Sequence, residues 1–349
     1  MKSQQLESQL GEIAFRKKLV QQQVGEAQVF KDEYDRKGIE DILQQRMQKT
    51  YEQITALREK GIAVSPYLEI GAERGQRSLV MENDIGAAGA AADLSYDMLK
   101  SCDHYQNVFN KKKMPARLCC DANYLPFAGN SIPFVFCYET LHHFPDPTPI
   151  IKEIHRVLAA GGWFFFDEEP YRRVLHLDLY ESKKIYSAEY RNAGLLKKTM
   201  DYFFAKRRCN ETEHGIIEND EISLKIWKNA LSIFAEKNIQ LQSLKNHIQA
   251  ELFASNSLAK YFFAWLMGGS IGGTCRKSGI HSEPGATILN ALICPSCLGD
   301  GIESALKPND RGFQCSRCRK QFPVVNGIVF LLPGNKFKEL YPEIYERFC

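Results

Sequence analysis

Two groups of residues in this sequence have types and spacings that could do chemistry. The first begins at Leu68-Glu69-Ile70-Gly71-Ala72-Glu73-Arg74-Gly75, where a short apolar run ends in a glycine-containing turn. Gly71 and Gly75 permit a tight strand-to-helix turn and close approach of the backbone to a ligand. Asp93, with Leu94 after it, closes the next apolar run, about twenty residues on, where a carboxylate can accept both hydroxyls of a ribose. Asp121-Ala122 closes a third run and could meet an adenine amino group. Singly, such glycines are turn residues and such aspartates are helix caps. Three of them at successive strand ends describe a nucleoside site.

Electrostatics narrows the nucleoside. A dinucleotide brings a pyrophosphate to the first turn, normally through G-x-G-x-x-G. This turn lacks that glycine set and places Glu73 where an anion would be repelled. Adenosylmethionine has no phosphate, and its sulfonium and amino groups are cationic. Glu69 and Glu73 would then be tolerated or useful, so the charges favour the methyl donor over NAD.

Methyl transfer from a sulfonium is an in-line displacement, governed by positioning and exclusion of water. A base is needed only when the acceptor must lose a proton. His142 and His143 follow the fourth predicted strand; they either line the acceptor pocket or pack under the donor. Glu168 and Glu169 follow the fifth, and with Tyr171, Arg172 and Arg173 they could bind a polar acceptor or form a solvated loop. The catalytic residue is thus unassigned, with His142, His143 and Glu169 as candidates. His176, His214 and Lys206-Arg207-Arg208 read as solvated faces.

The second group is Cys294-Pro295-Ser296-Cys297 with Cys315-Ser316-Arg317-Cys318. Four thiolates on two tight knuckles form the closed tetrahedral site that structural zinc prefers. So small a unit lacks the core to fold without its metal. The remaining cysteines are scattered: Cys102, Cys119, Cys120, Cys137, Cys209, Cys275 and Cys349. Free thiols in apolar runs with one metal site point to a reducing compartment, the cytoplasm.

These residues need elements to hold them. The 349 residues carry 44% hydrophobic and 25% charged side chains, ordinary for a globular protein of two or three units. A formal net charge of +3 gives no strong nucleic-acid signal. Residues 1–60 read as helical, with Leu43, Met47, Tyr51, Ile54 and Leu57 at helical spacing and a stop near Gly61. Residues 61–170 alternate strands and helices: strands at 67–70, 85–92, 117–120, 134–138 and 163–166, and an amphipathic helix at 149–158 stopped by Gly161-Gly162. That rhythm predicts an α/β fold with a doubly wound, Rossmann-like parallel sheet. Residues 171–290 read as a mainly helical cap shaping the substrate site, 291–335 as the ribbon and 336–349 as a tail. Tyr261 to Met267 is too short an apolar run to span a membrane, and the N-terminus shows no signal-peptide core.

Residues 65–170 resemble the class I methyltransferases, especially the branch that includes ubiquinone and menaquinone C-methyltransferases. Leu68 to Gly75 is similar to the first family motif, Asp93-Leu94-Ser95 with Met98-Leu99 to the ribose segment, and Asp121-Ala122 with Leu125-Pro126-Phe127 to the adenine-side segment. Phe136 to Phe144 resembles the stretch after strand four, and Arg156-Val157-Leu158 through Gly162 the approach to strand five. The resemblance implies a donor site at Glu69, Gly71, Ala72, Gly75, Asp93, Leu94, Asp121, Ala122 and Tyr138. Glu73 departs from the family's middle glycine, and Pro133 stands near its usual acidic residue. Residues 315–333, with Asn326-Gly327 as a hairpin turn, resemble a zinc-ribbon activator that binds methyltransferases, which implies a scaffold in cis. The expectation is adenosylmethionine-dependent methylation of a small-molecule acceptor: a sugar, lipid-linked precursor, quinone or secondary metabolite. The alternatives are an RNA methyltransferase and a non-catalytic adaptor. Oligomeric state is not legible.

Overall fold

The structure, a computed structural model, describes residues 2–25, 29, 36–182, 192–206, 211–244, 246–254, 257–280 and 287–348. Arg207, Arg208, Cys209 and Cys349 lie outside them. Helices α1 (Lys2–Gln22) and α2 (Arg36–Glu59) come first. On α2, Leu43, Met47, Ile54 and Leu57 are buried as their spacing predicts, whereas Tyr51 is exposed and Thr50 takes the buried position.

The core then alternates β1 (Tyr67–Ile70), α3 (Gln76–Val80), β2 (Gly89–Asp93), α4 (Tyr96–Val108), β3 (Ala116–Cys120), β4 (Ile132–Tyr138), α5 (Thr148–Val157) and β5 (Leu158–Tyr171). β1 pairs in parallel with β2 on one side and β4 on the other, giving the order β3-β2-β1-β4-β5. Strand order therefore reverses between β1 and β4, the crevice where open α/β sheets bind ligands. Ile150, Ile151, Ile154 and Val157 form the buried stripe of α5. Cys119, Cys120 and Cys137 are buried strand residues.

Strands β4 and β5 run longer than in the sequence reading, β4 from Ile132 and β5 over Leu158–Tyr171, and two boundaries change character. Met81–Ile85 finishes the helix after β1 as a π-helical turn closed by Gly86 at φ 73°, so the second strand starts at Gly89. Helix α5 ends at Val157 and β5 begins at once, placing Gly161 and Gly162 inside the strand rather than at a helix stop.

The segment expected to be mainly helical contains β6 (Tyr180–Glu181), α6 (Leu195–Phe204), β7 (Ala205–Lys206), α7 (Leu224–Leu231), β8 (Glu236–Ser243), β9 (Ile248–Glu251), α8 (Leu258–Met267) and β10 (Gly269–Arg276). Its helices are accompanied by strands that the pattern did not reveal: β10, β8 and β9 extend the sheet antiparallel beyond β5. Trp227 of α7 stacks on Phe166 of β5 at 5.7 Å, fixing α7 to the sheet. No helix among the described residues is long and apolar enough to cross a membrane.

At the other edge, a turn α9 (Pro295–Leu298) precedes β11 (Leu306–Asn309), β12 (Gly312–Cys315), β13 (Gln321–Val325) and β14 (Ile328–Leu331). β14 pairs in parallel with β3, so the ribbon continues the central sheet and covers its edge. The expected tail is instead two helices, α10 (Gly334–Leu340) and α11 (Pro342–Phe348). Phe330 is fully buried against Phe337, Tyr96 and Tyr341, with ring centroids at 5.1, 5.2 and 5.4 Å. Phe330→Ala should therefore destabilise the protein by about 3–5 kcal/mol, read from denaturant unfolding. A loss below about 1 kcal/mol would mean that the ribbon docks too loosely to share the core.

Candidate functional site

A cavity of about 460 Å³ lies over the carboxyl ends of β1, β2, β3 and β4. Its floor contains Gly71, Asp93, Leu94, Asp121, Ala122 and Tyr138. Gly71 and Gly75 have φ of 67° and 70°. A side chain on Gly71 would run into Thr140, and one on Gly75 would come within 2.7 Å of Cys102 Sγ. Between them Glu73 holds φ 48°, a left-handed conformation unusual for a residue with a side chain. Its backbone N–H donates to Asp93 Oδ2 at 2.8 Å, and Ser95 N–H donates to Asp93 Oδ1 at 2.7 Å. The turn and the Asp93 carboxylate are one hydrogen-bonded unit.

Charge pairing holds the walls. Arg46 of α2 reaches Glu73 at 2.8 Å and Glu139 at 3.2 Å. Lys49, one turn on, meets Asp167 and Glu168, each at 2.8 Å, and Gln53 donates to Asp167 at 2.8 Å. Burial opposes ionisation of Glu73, but Arg46, Arg77 and Arg16 outweigh it and hold its carboxyl far below the usual range. From α1, Gln9 donates to Asp121 at 3.3 Å, and Arg16 faces Glu12 at 3.9 Å and Glu211 at 3.8 Å. Lys336 of α10 pairs with Asp121; its ammonium overcomes burial and lowers the carboxyl's pKa. Asp93 makes no such ion pair among the described residues, and the more distant Arg16 offsets its burial only in part. Burial, with Glu12 nearby, pushes it up to about 7.

The predicted acid–base candidates separate. Glu169 is fully buried and away from the cavity lining; it accepts backbone N–H bonds from Thr140, Leu141 and His142 at 2.7, 2.9 and 3.1 Å. It also binds His142 Nδ1 at 3.0 Å. Burial disfavours a charged His142, yet Glu169 reverses this and raises its pKa to about 9. His143 lies in the wall with Nδ1 against Ile217 O at 3.2 Å. Burial and the neighbouring His142 charge drive its pKa well down. Glu169 is thus a positioning residue for the turn that carries both histidines. Glu69, Ala72 and Gly75 also stay off the lining; Glu69 is bound to Ser78 Oγ at 2.5 Å, and burial raises it to about 8. Tyr138 lines the cavity beneath Arg77, whose guanidinium stands 4.3 Å from the ring centroid.

Residues 68–166 match the family described as Methyltransferase domain. The matched residues supply the floor, while α1, α2 and residues 211–220 supply the roof from outside the match. An uncharacterized chloroplastic methyltransferase of Arabidopsis thaliana is 38% identical over 77 residues, 21% of this chain and 22% of that protein. A second from the same plant is 33% identical over 90 residues, 25% of each chain. The alignment thus spans about a quarter of these curated relatives. Solved structures that align with the chain include the YcgJ protein of Bacillus subtilis, at 16% identity and TM-score 0.40 over 67% of this chain and 100% of that one. Another is the magnesium protoporphyrin IX methyltransferase of Synechocystis with bound SAH, at 14% identity and TM-score 0.41 over 67% and 84%.

The roof was not foreseen. Residues 171–290 were expected to shape the site; among their described residues, those lining the cavity fall within 211–220, beside Gln9, Glu12, Arg16 and Arg46. A signal existed in α2: Arg46, Lys49 and Gln53 form a polar stripe beside the apolar one. His176 and Lys206 do not line the cavity.

Outside the cavity lining, Cys294, Cys297, Cys315 and Cys318 gather their sulfurs within 4.8 Å of one another. Cys294–Cys318 and Cys297–Cys315 stand 3.7 Å apart. Sulfurs about 2.3 Å from a tetrahedral ion are about 3.8 Å apart, so the donor set fits zinc. Ser304 and the N–H groups of Cys318 and Arg317 bond to Cys315 Sγ at 3.3, 3.3 and 3.4 Å. Against burial, they lower its thiol to about 6, which favours the thiolate a metal needs.

Two outcomes follow from these groups. Because folding raises Glu69 from 4.5 to about 8, the folded state holds more protons in that window, and its stability falls as pH rises through it. Glu69→Gln should flatten that fall and raise the melting temperature at pH ~8.5 by several degrees; an unchanged or lower value would contradict the assignment. Cys297→Ser, or chelation of the wild type, should lower the melting temperature by about 10 °C or more and release one zinc per chain in elemental analysis. A metal-free protein of unchanged stability would show that the cluster is not structural.

Proposed function

We propose that this protein is an adenosylmethionine-dependent methyltransferase acting on a small or medium metabolite. The observation that carries the reading is the cavity's composition: among its lining residues, eight carboxylates face four guanidiniums. Such a lining suits a cationic sulfonium nucleoside and opposes a pyrophosphate. Bound there, adenosylmethionine supplies a methyl group on a sulfonium whose C–S bond breaks as the acceptor's lone pair forms the new bond. Asp93 accepts the ribose hydroxyls, Asp121 lies on the adenine side, and Gly71 lets the chain approach the donor. Tyr138 and Thr140 line the same cavity. The roof of α1 and α2 excludes water and fixes alignment, which is most of what the transfer requires.

The cavity volume falls within the range of small-molecule pockets, and two helices cover it, which supports a metabolite over an RNA. The four-cysteine ribbon, in this reading, holds a structural zinc and acts as a scaffold. His142, charged and clamped by Glu169, positions the wall rather than removing a proton.

Titration calorimetry of the zinc-loaded protein should show binding of adenosylmethionine and adenosylhomocysteine. Asp93→Ala should weaken it about 10- to 100-fold, the loss of two hydrogen bonds to a charged acceptor. Methylthioadenosine, which carries the ribose without the amino-acid end, isolates the Asp93 titration. Since the hydroxyls bind the ionised carboxylate, its affinity should fall about tenfold from pH ~8 to pH ~6, and Asp93→Asn should remove that slope. Absence of binding by a folded protein would overturn the reading.

A further inference from the structure

Two helices beyond the cavity leave their apolar side chains in solvent. On α8 (Leu-Ala-Lys-Tyr-Phe-Phe-Ala-Trp-Leu-Met) only Ala264 is buried, and on α6 only Asp201 is. Leu195, Leu196 and Leu258 are 83%, 77% and 75% exposed. These helices are one surface. Between them runs the segment 174–179, whose Val174 and Leu175 N–H groups donate to Leu266 O at 3.2 and 2.8 Å. Its Leu177 and Leu179 N–H groups donate to Phe203 O and Phe204 O at 2.9 and 3.0 Å. Tyr202 Oη donates to Met267 O at 2.8 Å, tying the two helix ends together. Leu177 and Leu179 are exposed along the bridge, as are Phe262 and Phe263 on α8.

This surface has its own charge. Its described residues, 172–182, 192–206 and 257–268, carry six basic and three acidic side chains. Exposed Arg172, Lys197, Lys206 and Lys260 stand among the apolar groups. Patches of this kind on a protein surface mark interaction sites. Here the combination of aliphatic, aromatic and basic groups selects the partner. Exposed leucines have nothing to meet on a nucleic acid, and a second copy would oppose one basic face to another. An anionic bilayer satisfies both, taking Leu and Phe below the headgroups and Lys and Arg among them.

We propose that the face built from α6, residues 174–180 and α8 is a peripheral docking surface for an anionic lipid membrane. β5 ends at Tyr171 where β10 begins at Gly269, so the surface stands at the same edge of the sheet as the cavity. A protein seated this way presents its site toward the bilayer.

Flotation of the full-length, zinc-loaded protein with phosphatidylcholine vesicles, with or without phosphatidylglycerol, tests this directly. The protein should float with the anionic vesicles at low salt and stay behind with neutral ones. Lys197→Gln with Lys198→Gln should reduce partitioning roughly 30-fold, and Phe262→Ser with Phe263→Ser at least about tenfold. Both variants should keep the wild-type melting temperature and adenosylhomocysteine affinity, which separates this surface from the donor site. Folded wild type that does not float would overturn the proposal, as would flotation unaffected by either variant. So would a wild-type dimer that Phe262→Ser with Phe263→Ser dissolves, or binding to an RNA oligonucleotide in place of vesicles.

Discussion

The pairing of buried charge at the carboxyl edge of the sheet is the constraint on which the rest of this structure depends. Strand ends and the turns after them present Glu73, Asp93, Asp121 and Asp167 under a roof, and unpaired carboxylates in such a place are costly. The cations come from far along the chain: Arg46 and Lys49 from α2, and Lys336 from α10. Helices at both ends of the chain are therefore part of the site and not appendages to it. Asp93, by contrast, is held by the N–H groups of Glu73 and Ser95 and by no ion pair among the described residues.

Glu73 illustrates how the constraint reshapes a motif. A residue with a side chain at φ 48° is strained relative to glycine. In exchange its carboxylate anchors Arg46 and so the roof, while its N–H orients Asp93. What reads as a departure from a glycine turn is thus the point where the turn, the Asp93 carboxylate and α2 are joined.

The core and the cysteine site were legible because they rest on local signals: apolar runs ending in Gly71, Asp93 and Asp121, and two C-x-x-C knuckles. Strand β10 was not, because its burial comes from pairing beyond β5 and Gly269–Arg276 carries little alternation; β8 does alternate, with Ile239, Leu241 and Ser243 buried, but only over a short stretch inside a segment read as helical. The start of the second strand was misplaced because Ile85 and Ala87 are apolar and buried although they precede it. The roof was illegible for another reason. Arg46 and Gln9 find their partners only when residues 27 and 112 positions away fold beneath them. Docking of the ribbon was also hidden, since β14 shows its apolar run but not that β3 receives it.

The central claim is that the cavity between β1 and the two N-terminal helices holds the methyl donor. Ultraviolet crosslinking of methyl-labelled adenosylmethionine to the zinc-loaded protein, followed by peptide mapping, tests it most directly. The account predicts label in peptides containing residues 70–77, 92–98 or 120–145, competed away by adenosylhomocysteine. Competed label confined to other regions, or no specific label on a folded protein, would contradict it.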